Sequence, residues 1–238
     1  MSDIIRPQIR VSTRARHVYL RLSIRDGLQI IVPEKYDLAR IPALLEKKKT
    51  WIESTQRRLA KDYLNRPPEL TYQLPTQITL PALGETWLVK YLEQSSNTIT
   101  LRRGGENLLV LTGKIQSEML CRRVLRRWLV QRGQEALIPW LRQTSYELEL
   151  QFGKATVRLQ KSRWGSCSRH KTISLNAKLL FLNPELVRYL FLHELCHLLQ
   201  MNHSESYWRL VASKEPDYLA FDRALRYGMR AVPGWVVH

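Results

Sequence analysis

The sequence predicts an α+β fold, because segments with strand and helix patterns are grouped along the chain instead of alternating one by one. Alternating apolar and polar residues, typical of strands, occupy Gln8 to Pro33 and again Gln77 to Leu111. A long helical pattern follows, and the last third of the chain combines two short strands with three further helices. We therefore predict a β-rich N-terminal region with a basic helix over residues 1–112 and a second domain over residues 113–238.

The N-terminal region begins with a predicted β-hairpin. Its strands are His17–Ile24 and Gly27–Val32, joined by the turn Arg25-Asp26-Gly27. Asp37 then caps a helical stretch whose apolar residues follow helical spacing and whose other face is basic. Asn65-Arg66-Pro67-Pro68 ends this helix, since proline cannot continue it.

The middle of the chain predicts four strands followed by a long helix. The strands are Gln77–Leu80, Thr86–Leu92, Thr98–Leu101 and Leu108–Leu111. The helix runs from about Ile115 to Gln143, with Pro139 bending or dividing it. One side of this helix carries a cluster of arginines: Arg122, Arg123, Arg126 and Arg127.

The last third predicts a small strand region and three helices. Ala155–Gln160 and Thr172–Asn176 alternate as strands do, and the turn-like motif Arg163–Ser168 lies between them. Asn183-Pro184 starts a helix in the favoured way, with proline at the first helical position, and this helix extends to about Met201. Two more helices are predicted over Ser204–Ala212 and Pro216–Tyr227.

The composition is that of a soluble globular protein with an excess of positive charge. Lys and Arg number 38 against 21 Asp and Glu, which gives a formal net charge of +17. Such a charge attracts polyanions or acidic substrates, so nucleic acid or another polyanion is a possible partner of the basic helices. Basic helices also serve solubility alone, and composition by itself does not identify a specific partner.

The sequence also predicts the cellular setting. No apolar run approaches the roughly 20 residues that span a bilayer, and the N-terminus has no pattern of a secretory signal. The three cysteines are widely spaced and form no CxxC pair, which favours a reducing compartment over a disulfide framework. We expect a cytoplasmic protein with no membrane association.

The segment His193-Glu194-Leu195-Cys196-His197 carries the clearest chemical signal, an HExxH motif. Its two histidines are four residues apart, so on a helix both imidazoles leave the same face and can reach one ion. Glu194 follows the first histidine and is close enough to hold a metal-bound water without ligating the metal. The motif predicts one catalytic zinc ion, because a purely structural ion would leave Glu194 without a task.

A catalytic zinc ion needs three protein ligands and one open position, and His203 is the best third ligand. His203 lies six residues beyond His197, or about 600° of helical rotation, so the helix must end between them. Asn202 is suited to this, since asparagine tolerates the left-handed conformation common past a helix end. Ser204 is a suitable N-cap for the helix that follows.

Two acidic residues are alternatives for the third ligand. Glu215 and Asp217 lie downstream, as the third ligand does in other zinc hydrolases. Both flank Pro216 at a helix start, where acidic side chains stabilise the helix dipole in any case. The ligands we predict are therefore His193, His197 and His203, with Glu194 as the catalytic base.

Other residues near the motif are candidates of lower weight. Tyr207 follows His203 by one helical turn, so its hydroxyl could donate to an oxyanion in the transition state. Cys196 lies on a different helix face from the two histidines, and Cys167 lies in a tight turn, so both are interpreted as small buried residues. Aromatic core positions are the simpler interpretation of Trp164 and Trp208.

These motifs together resemble the YgjP-like metallopeptidase family, bacterial relatives of the SprT-type zincins. The matching stretches are Arg163–Ser168 (RWGSCS), Ile173–Asn176, His193–His197, His203-Ser204 and Tyr207-Trp208. The N-terminal hairpin and the helix at Trp51-Ile52 also look like the family's opening, whereas Pro67 to Thr112 resembles it only loosely. The resemblance implies a zincin-like core over residues 113–238, whose strand near Ile173–Asn176 edges the active-site cleft. It also implies zinc ligation by the three histidines and catalysis by Glu194.

The motif chemistry and this resemblance predict a zinc-dependent hydrolase, a metallopeptidase acting on peptide or protein substrates. Glu194 would take a proton from the zinc-bound water, and an extended peptide could pair with the strand near Ile173–Asn176. Arg163 and Tyr207 are the candidate substrate-binding residues.

Two alternatives remain open at this stage. The same zinc chemistry could serve a nucleotide phosphohydrolase (a pyrophosphatase) in which basic side chains bind phosphate, although no Gly-rich phosphate loop is present. The candidate side chains are Lys161, Arg163, Lys178 and Arg188. The other alternative is a nucleic-acid-associated protease, in which the basic helices hold nucleic acid.

Overall fold

A computed structural model describes residues 7–13, 15–23, 27–64 and 73–237. The chain forms two compact units, Met1–Thr71 and Tyr72–His238. The second unit includes the strands of the middle region. The domain boundary expected from the sequence lies after these strands, between residues 112 and 113, and it stays a prediction.

The first unit contains a three-stranded sheet in the order β1-β3-β2. Its strands are β1 (Gln8–Ser12), β2 (Tyr19–Ser23) and β3 (Gly27–Pro33). β2 and β3 pair antiparallel, which confirms the predicted hairpin, while Arg25 and Asp26 of the predicted turn lie outside the described residues. The parallel pairing of β1 with β3 was not predicted. β1 alternates polar and apolar residues as its neighbours do, but it is exposed along most of its length.

Two helices follow this sheet, α1 (Ile41–Lys47) and α2 (Lys49–Leu64). Asp37 caps the start as predicted, since its side chain accepts a hydrogen bond from the backbone N–H of Ala39 at 3.0 Å. Asp37 begins a short 3₁₀ helix, which leads into α1, whereas the sequence predicted one long helix. α1 ends before Lys48, and α2 begins directly after it. The predicted breaker at residues 65–68 lies outside the described residues.

The first sheet of the second unit has four strands in the order β4-β5-β7-β6. They are β4 (Gln77–Leu80), β5 (Glu85–Glu93), β6 (Ile99–Gly104) and β7 (Leu108–Gly113), so the four predicted strands are confirmed. β5 and β7 run parallel, and the other pairs are antiparallel. Alternate residues of β4, β5 and β7 are buried, which is the pattern of a sheet with one face on a core.

The long helix α3 (Glu118–Glu147) packs against this sheet and against the second one. On the first side, the rings of Trp87 and Trp128 meet edge to face with centroids 5.3 Å apart. On the other side, Gly133 allows close approach, because a Cβ there would lie 3.0 Å from Cγ1 of Val157. Pro139 lies inside one helix and does not divide it.

The second sheet has three strands in the order β8-β10-β9. They are β8 (Lys154–Arg158), β9 (Gly165–Cys167) and β10 (Thr172–Asn176). β10 pairs in parallel with β8 on one side and antiparallel with β9 on the other. The expectation that the strand near Ile173–Asn176 forms the edge is therefore wrong. Every second residue of β10 is buried, as suits a central strand. The edge strand next to it is β9, which lies inside the predicted turn-like motif.

Four helices complete the second unit: α4 (Pro184–Cys196), α5 (Glu205–Lys214), α6 (Tyr218–Tyr227) and α7 (Gly234–Val237). Asn183 occupies the N-cap of α4 with Pro184 at the first helical position, as predicted. α4 packs against α3, α5, α6 and β9, and most of its residues are buried. Among the helices of the described ranges, none combines the length and the apolar character that crossing a bilayer requires.

Candidate metal centre

Three histidines converge where α4 ends. One ring nitrogen from each of His193, His197 and His203 lies within 4.8 Å of the others. The Nε2 atoms of His193 and His203 are 3.2 Å apart. Three imidazole nitrogens at such distances form a ready ligand set for one metal ion.

The helix ends earlier than the sequence predicted, and by a different mechanism. α4 stops at Cys196, with His197 as its C-cap, instead of reaching Met201. Leu198 and Leu199 donate their backbone N–H groups to carbonyls three residues back, which tightens the last turn. The predicted left-handed Asn202 is wrong, because the only non-glycine residues with positive φ in the described ranges are elsewhere (Asn107, Glu149 and Lys171).

The connection from α4 to α5 carries His203 as an exposed side chain. Ser204 occupies the predicted N-cap of α5, but its hydroxyl pairs with that of Ser206 at 2.8 Å and makes no cap hydrogen bond. Trp208 stacks on the His203 imidazole with ring centroids 5.6 Å apart. The first turn of α5 therefore supports the histidine from one side.

His197 is oriented by two contacts. Its Nδ1 lies 2.9 Å from the carbonyl oxygen of Gln200, so an Nδ1–H donor leaves Nε2 available for a metal. Its ring stacks on that of Tyr207 at 4.5 Å between centroids. These contacts fix both the tautomer and the plane of the ring.

Tyr207 is fully buried, and its hydroxyl donates to the backbone carbonyl of His193 at 3.0 Å. The hydroxyl thus links α5 to the part of α4 that carries the first candidate ligand. A contact between Tyr207 and substrate stays a prediction, since in this structure the side chain serves the two histidines.

Burial favours the neutral imidazoles that metal binding needs. It lowers the pKa of His193 to about 4, with further lowering by the charges of His197 and His203 and an opposing effect of Asp222. Burial also lowers the pKa of His197, whereas its hydrogen bond to the Gln200 backbone raises that pKa by a smaller amount. Both rings are therefore neutral at neutral pH and able to ligate a cation.

Glu194 lies beside the histidines as a buried carboxylate. Its side chain is only 4% exposed, and its Oε2 has no hydrogen-bond partner among the described residues. Burial raises its pKa to about 8, and the positive charge of Arg163 opposes that rise. A carboxylate with a pKa near neutrality suits proton transfer, which favours a base over a fixed counter-ion.

Gly165 of β9 makes room for Glu194. A Cβ at residue 165 would lie 2.6 Å from Oε1 of Glu194 and 2.9 Å from its Cγ. The glycine is therefore needed for close approach and not for an unusual backbone angle. The sequence motif around residue 165 contained this signal, although the sequence alone did not show what the glycine faces.

Asn176 holds the segment before β9. This fully buried side chain donates to the carbonyl oxygens of Arg163 at 2.6 Å and Gln160 at 3.1 Å, and it accepts from Lys178 N–H. Arg163 is itself exposed. The clamp fixes the backbone of Arg163, whose positive charge acts on Glu194. Substrate binding by Arg163 stays a prediction.

Other residues named from the sequence are not part of the cluster. Glu215 and Asp217 lie outside the group of potential metal ligands in the described chain. Lys178 is 3% exposed and donates to the carbonyl of Lys161 at 3.4 Å, while Arg188 pairs with Glu147 at 3.1 Å. Two of the four basic side chains proposed for phosphate binding, Lys178 and Arg188, are thus engaged in protein contacts.

The basic side of α3 is also paired in part. Arg122 forms an ion pair with Glu118. Nucleic-acid binding by the basic helices stays a prediction from the net charge of +17.

The donor set fits a zinc ion. Three imidazoles meet with a carboxylate next to them but outside the ligand group, which is the arrangement of a catalytic site with an open position. Contacts to Gln200 and Tyr207 supply the outer support that metal-ligating histidines require. The chemistry open to such a site is metal-assisted hydrolysis.

The solved structures that resemble this chain include two crystal structures of metallopeptidase zymogens, each similar to 37% of this chain at a TM-score of 0.33. One is abylysin of Pyrococcus abyssi, at 29% identity and with 90% of that chain covered. The other is jannalysin of Methanocaldococcus jannaschii, at 19% identity and with 92% covered. No curated protein sequence matches the chain.

The model of the YgjP-like metallopeptidase domain matches residues 16–227, which is most of the chain. The match includes every strand except β1, and it includes Glu194 and all three histidines of the cluster. The resemblance noted from the sequence motifs is thereby confirmed. The chain belongs to the YgjP-like metallopeptidase family.

Proposed function

We propose that this protein is a zinc-dependent peptidase in which His193, His197 and His203 hold one zinc ion and Glu194 is the general base. The observation that carries the proposal is the convergence of three ring nitrogens within 4.8 Å beside a buried carboxylate. Family membership supports a peptidase that acts through a metal ion. The nitrogen ligand set favours zinc over magnesium or calcium, which prefer oxygen.

The residues of the site divide the work of hydrolysis. Zinc, when bound, supplies a Lewis acid that lowers the pKa of water and polarises a carbonyl. Glu194 takes the proton from the attacking water and can pass it to the leaving amine. Gly165 and the low exposure of Glu194 keep the carboxylate in a site from which bulk water is largely excluded.

The free edge of β9 is the best place for an extended peptide. β9 pairs with β10 on one side, and no strand of the described residues pairs with its other side. Gly165 of this strand touches Glu194, so a peptide added along the edge would pass next to the base. This replaces β10 as the strand that pairs with substrate.

A direct assay tests the proposed activity. Purified protein is incubated with an unfolded protein and, separately, with nucleoside triphosphates, each with and without a chelator and with zinc added back. We expect cleavage of the unfolded protein, loss of cleavage with the chelator, and recovery with zinc. Chelator-sensitive release of phosphate or pyrophosphate without proteolysis would contradict a peptidase and support the phosphohydrolase alternative.

Replacing Gly165 by alanine should impair catalysis with little change in zinc content. The added Cβ would lie 2.6 Å from Oε1 of Glu194, so the carboxylate must shift. Misplacing a catalytic group by about 1 Å costs on the order of 100-fold in rate. The measurement is the rate of proteolysis beside the zinc content of each sample.

The matched control is Gly153→Ala, where the nearest atom to a new Cβ is 3.4 Å away. We expect it to keep wild-type activity. Equal rates for both alanine variants would mean that Gly165 does not position Glu194.

A further inference from the structure

His203 differs from the other two candidate ligands in how it is held. His193 belongs to α4, and His197 ends that helix with its Nδ1 2.9 Å from the carbonyl oxygen of Gln200. His203 lies in the connection to α5 and is exposed. Within the described residues, its ring makes no hydrogen bond apart from the contact with Nε2 of His193. Neither a helix nor an outer hydrogen bond therefore fixes the orientation of this third imidazole.

Stacked aromatic rings contact His203 instead. The indole of Trp208 stacks on the His203 imidazole with ring centroids 5.6 Å apart and an angle of 28° between the planes. The ring of Tyr218 stacks on the same indole at 5.5 Å and 25°. Both contacts have the geometry of offset stacking. Among the described residues no ring contact joins His203 directly to Tyr218, so the indole is the link between them.

The stack joins the exposed histidine to two helices. Trp208 belongs to α5, and Tyr218 is the first residue of α6. Both rings are half-buried and pack against the main hydrophobic core. An exposed side chain in a connecting segment samples several rotamers, and ordering it costs conformational entropy. A ring that is itself held by the core can restrict that freedom before a metal binds.

Stacking is compatible with metal binding by His203. The indole contacts the face of the imidazole, whereas a metal is bound through a ring nitrogen, so both contacts can exist at once. With the stack in place, Nε2 of His203 lies 3.2 Å from Nε2 of His193. The stacked orientation is therefore the one that brings the third nitrogen into the ligand set.

We propose that Trp208 and Tyr218 position His203 as the third metal ligand: the indole holds the imidazole by its face, and the ring of Tyr218 holds the indole. The proposal rests on the zinc site proposed above. Both are positioning residues that act through His203, and Trp208 thereby has a role besides its packing against the core. Zinc affinity should accordingly depend on α6, a helix that carries none of the three ligands.

The first test is the zinc affinity of two variants of one residue, measured by competition with a chromophoric chelator. Trp208→Leu removes the aromatic ring, whereas Trp208→Phe retains a ring that can stack. Loss of an outer partner lowers metal affinity by about 10- to 100-fold, so we expect Trp208→Leu to bind zinc at least about 10-fold more weakly than the wild type. Trp208→Phe should recover most of this loss. Equal affinities of the two variants overturn the proposal.

The same comparison at Tyr218 tests the next ring. The energy of a stacked pair corresponds to roughly 2- to 10-fold in a binding constant, and we expect Tyr218→Leu to lose zinc affinity in this range. Tyr218→Phe keeps the ring and should bind zinc as the wild type does. Wild-type affinity in Tyr218→Leu contradicts the proposal, and this variant decides the question if Trp208→Leu does not fold.

Trp140→Leu is the control for a general loss of structure. Trp140 is also a half-buried tryptophan, and its ring meets that of Phe191 in α4, which is not a candidate ligand, at 5.3 Å. The variant should lose stability but keep wild-type zinc affinity in the folded state. A loss of affinity equal to that of Trp208→Leu would contradict a specific role of the stack.

Proton NMR of the zinc-free protein reports on the stack itself. Protons that lie against an indole ring have chemical shifts displaced by its ring current. The ring signals of His203, identified by their absence in His203→Ala, should move in Trp208→Leu toward those of the exposed His170, and less so in Trp208→Phe. Unchanged His203 signals in folded Trp208→Leu contradict the proposal.

Failure of the zinc site itself would look different. If the wild-type protein bound no zinc, or if His203→Ala bound it as tightly as the wild type, the proposed function would fail whatever the ring variants showed. If the wild type bound zinc through the three histidines and both leucine variants did so equally well, only the role of Trp208 and Tyr218 would fail.

Discussion

Glu194→Gln should retain zinc and lose at least about 100- to 10,000-fold in the rate of peptide hydrolysis, the range that general base catalysis contributes. Glutamine has the same shape, so it fits against Gly165 as the carboxylate does. Its neutral amide cannot take a proton from water. Because burial raises the pKa of Glu194 to about 8, folding at neutral pH requires this carboxylate to take up a proton, which costs free energy of folding. The amide of glutamine avoids that cost, so the variant should fold at least as stably.

The measurement compares proteolysis, zinc content and thermal unfolding of the variant with those of the wild type. Glu185→Gln is the matched control, since Glu185 is exposed in the first turn of the same helix. It should match the wild type in proteolysis and zinc content, and it should lose at most about 1 kcal/mol of stability because its charge lies near the helix N-terminus. Full proteolytic activity in zinc-loaded Glu194→Gln would remove Glu194 from the mechanism.

His203→Ala should lower zinc affinity by at least about 100-fold and abolish proteolysis at limiting zinc. The roughly 10–16 kcal/mol that binds zinc in a four-ligand structural site is shared among its ligands, so one ligand contributes about 3 kcal/mol or more. His203 is exposed, so its removal leaves no cavity in the core. Metal analysis of untreated protein and chelator competition measure the effect.

The control for this variant is His170→Ala, an exposed histidine outside the cluster, which should keep its zinc. If His203→Ala also kept its zinc at wild-type affinity, the third ligand would lie elsewhere. Glu215 and Asp217 would then be the first residues to replace.

The sequence predicted those parts of the site that local periodicity determines. The spacing of His193 and His197 implies a shared helix face, and Asn183-Pro184 marks where that helix begins. Strands with one buried face, such as β5 and β7, alternate apolar and polar residues in the sequence. Each of these features depends on neighbours within a few residues.

Features that depend on distant contacts could not be predicted in the same way. Gly165 is required by Glu194, which lies 29 positions further along the chain and meets it only after β9 packs on α4. The central position of β10 follows from its pairing with two strands, and one of these lies within a motif that suggested a turn. The end of α4 is set by backbone hydrogen bonds, and these require no particular residue type, such as glycine, that could be recognised in the sequence.

The shortness of β9 has a consequence for substrate selection. Three residues, Gly165–Cys167, offer an incoming chain at most about four main-chain hydrogen bonds, because alternate residues of a strand face the same edge. At about 1 kcal/mol each, these bonds alone give an affinity near the millimolar range. Backbone pairing of this strength discriminates folded from extended chains but not one amino-acid order from another. On such an edge, selectivity for particular proteins has to come from the fraction of time that a segment of the substrate protein is unfolded and accessible.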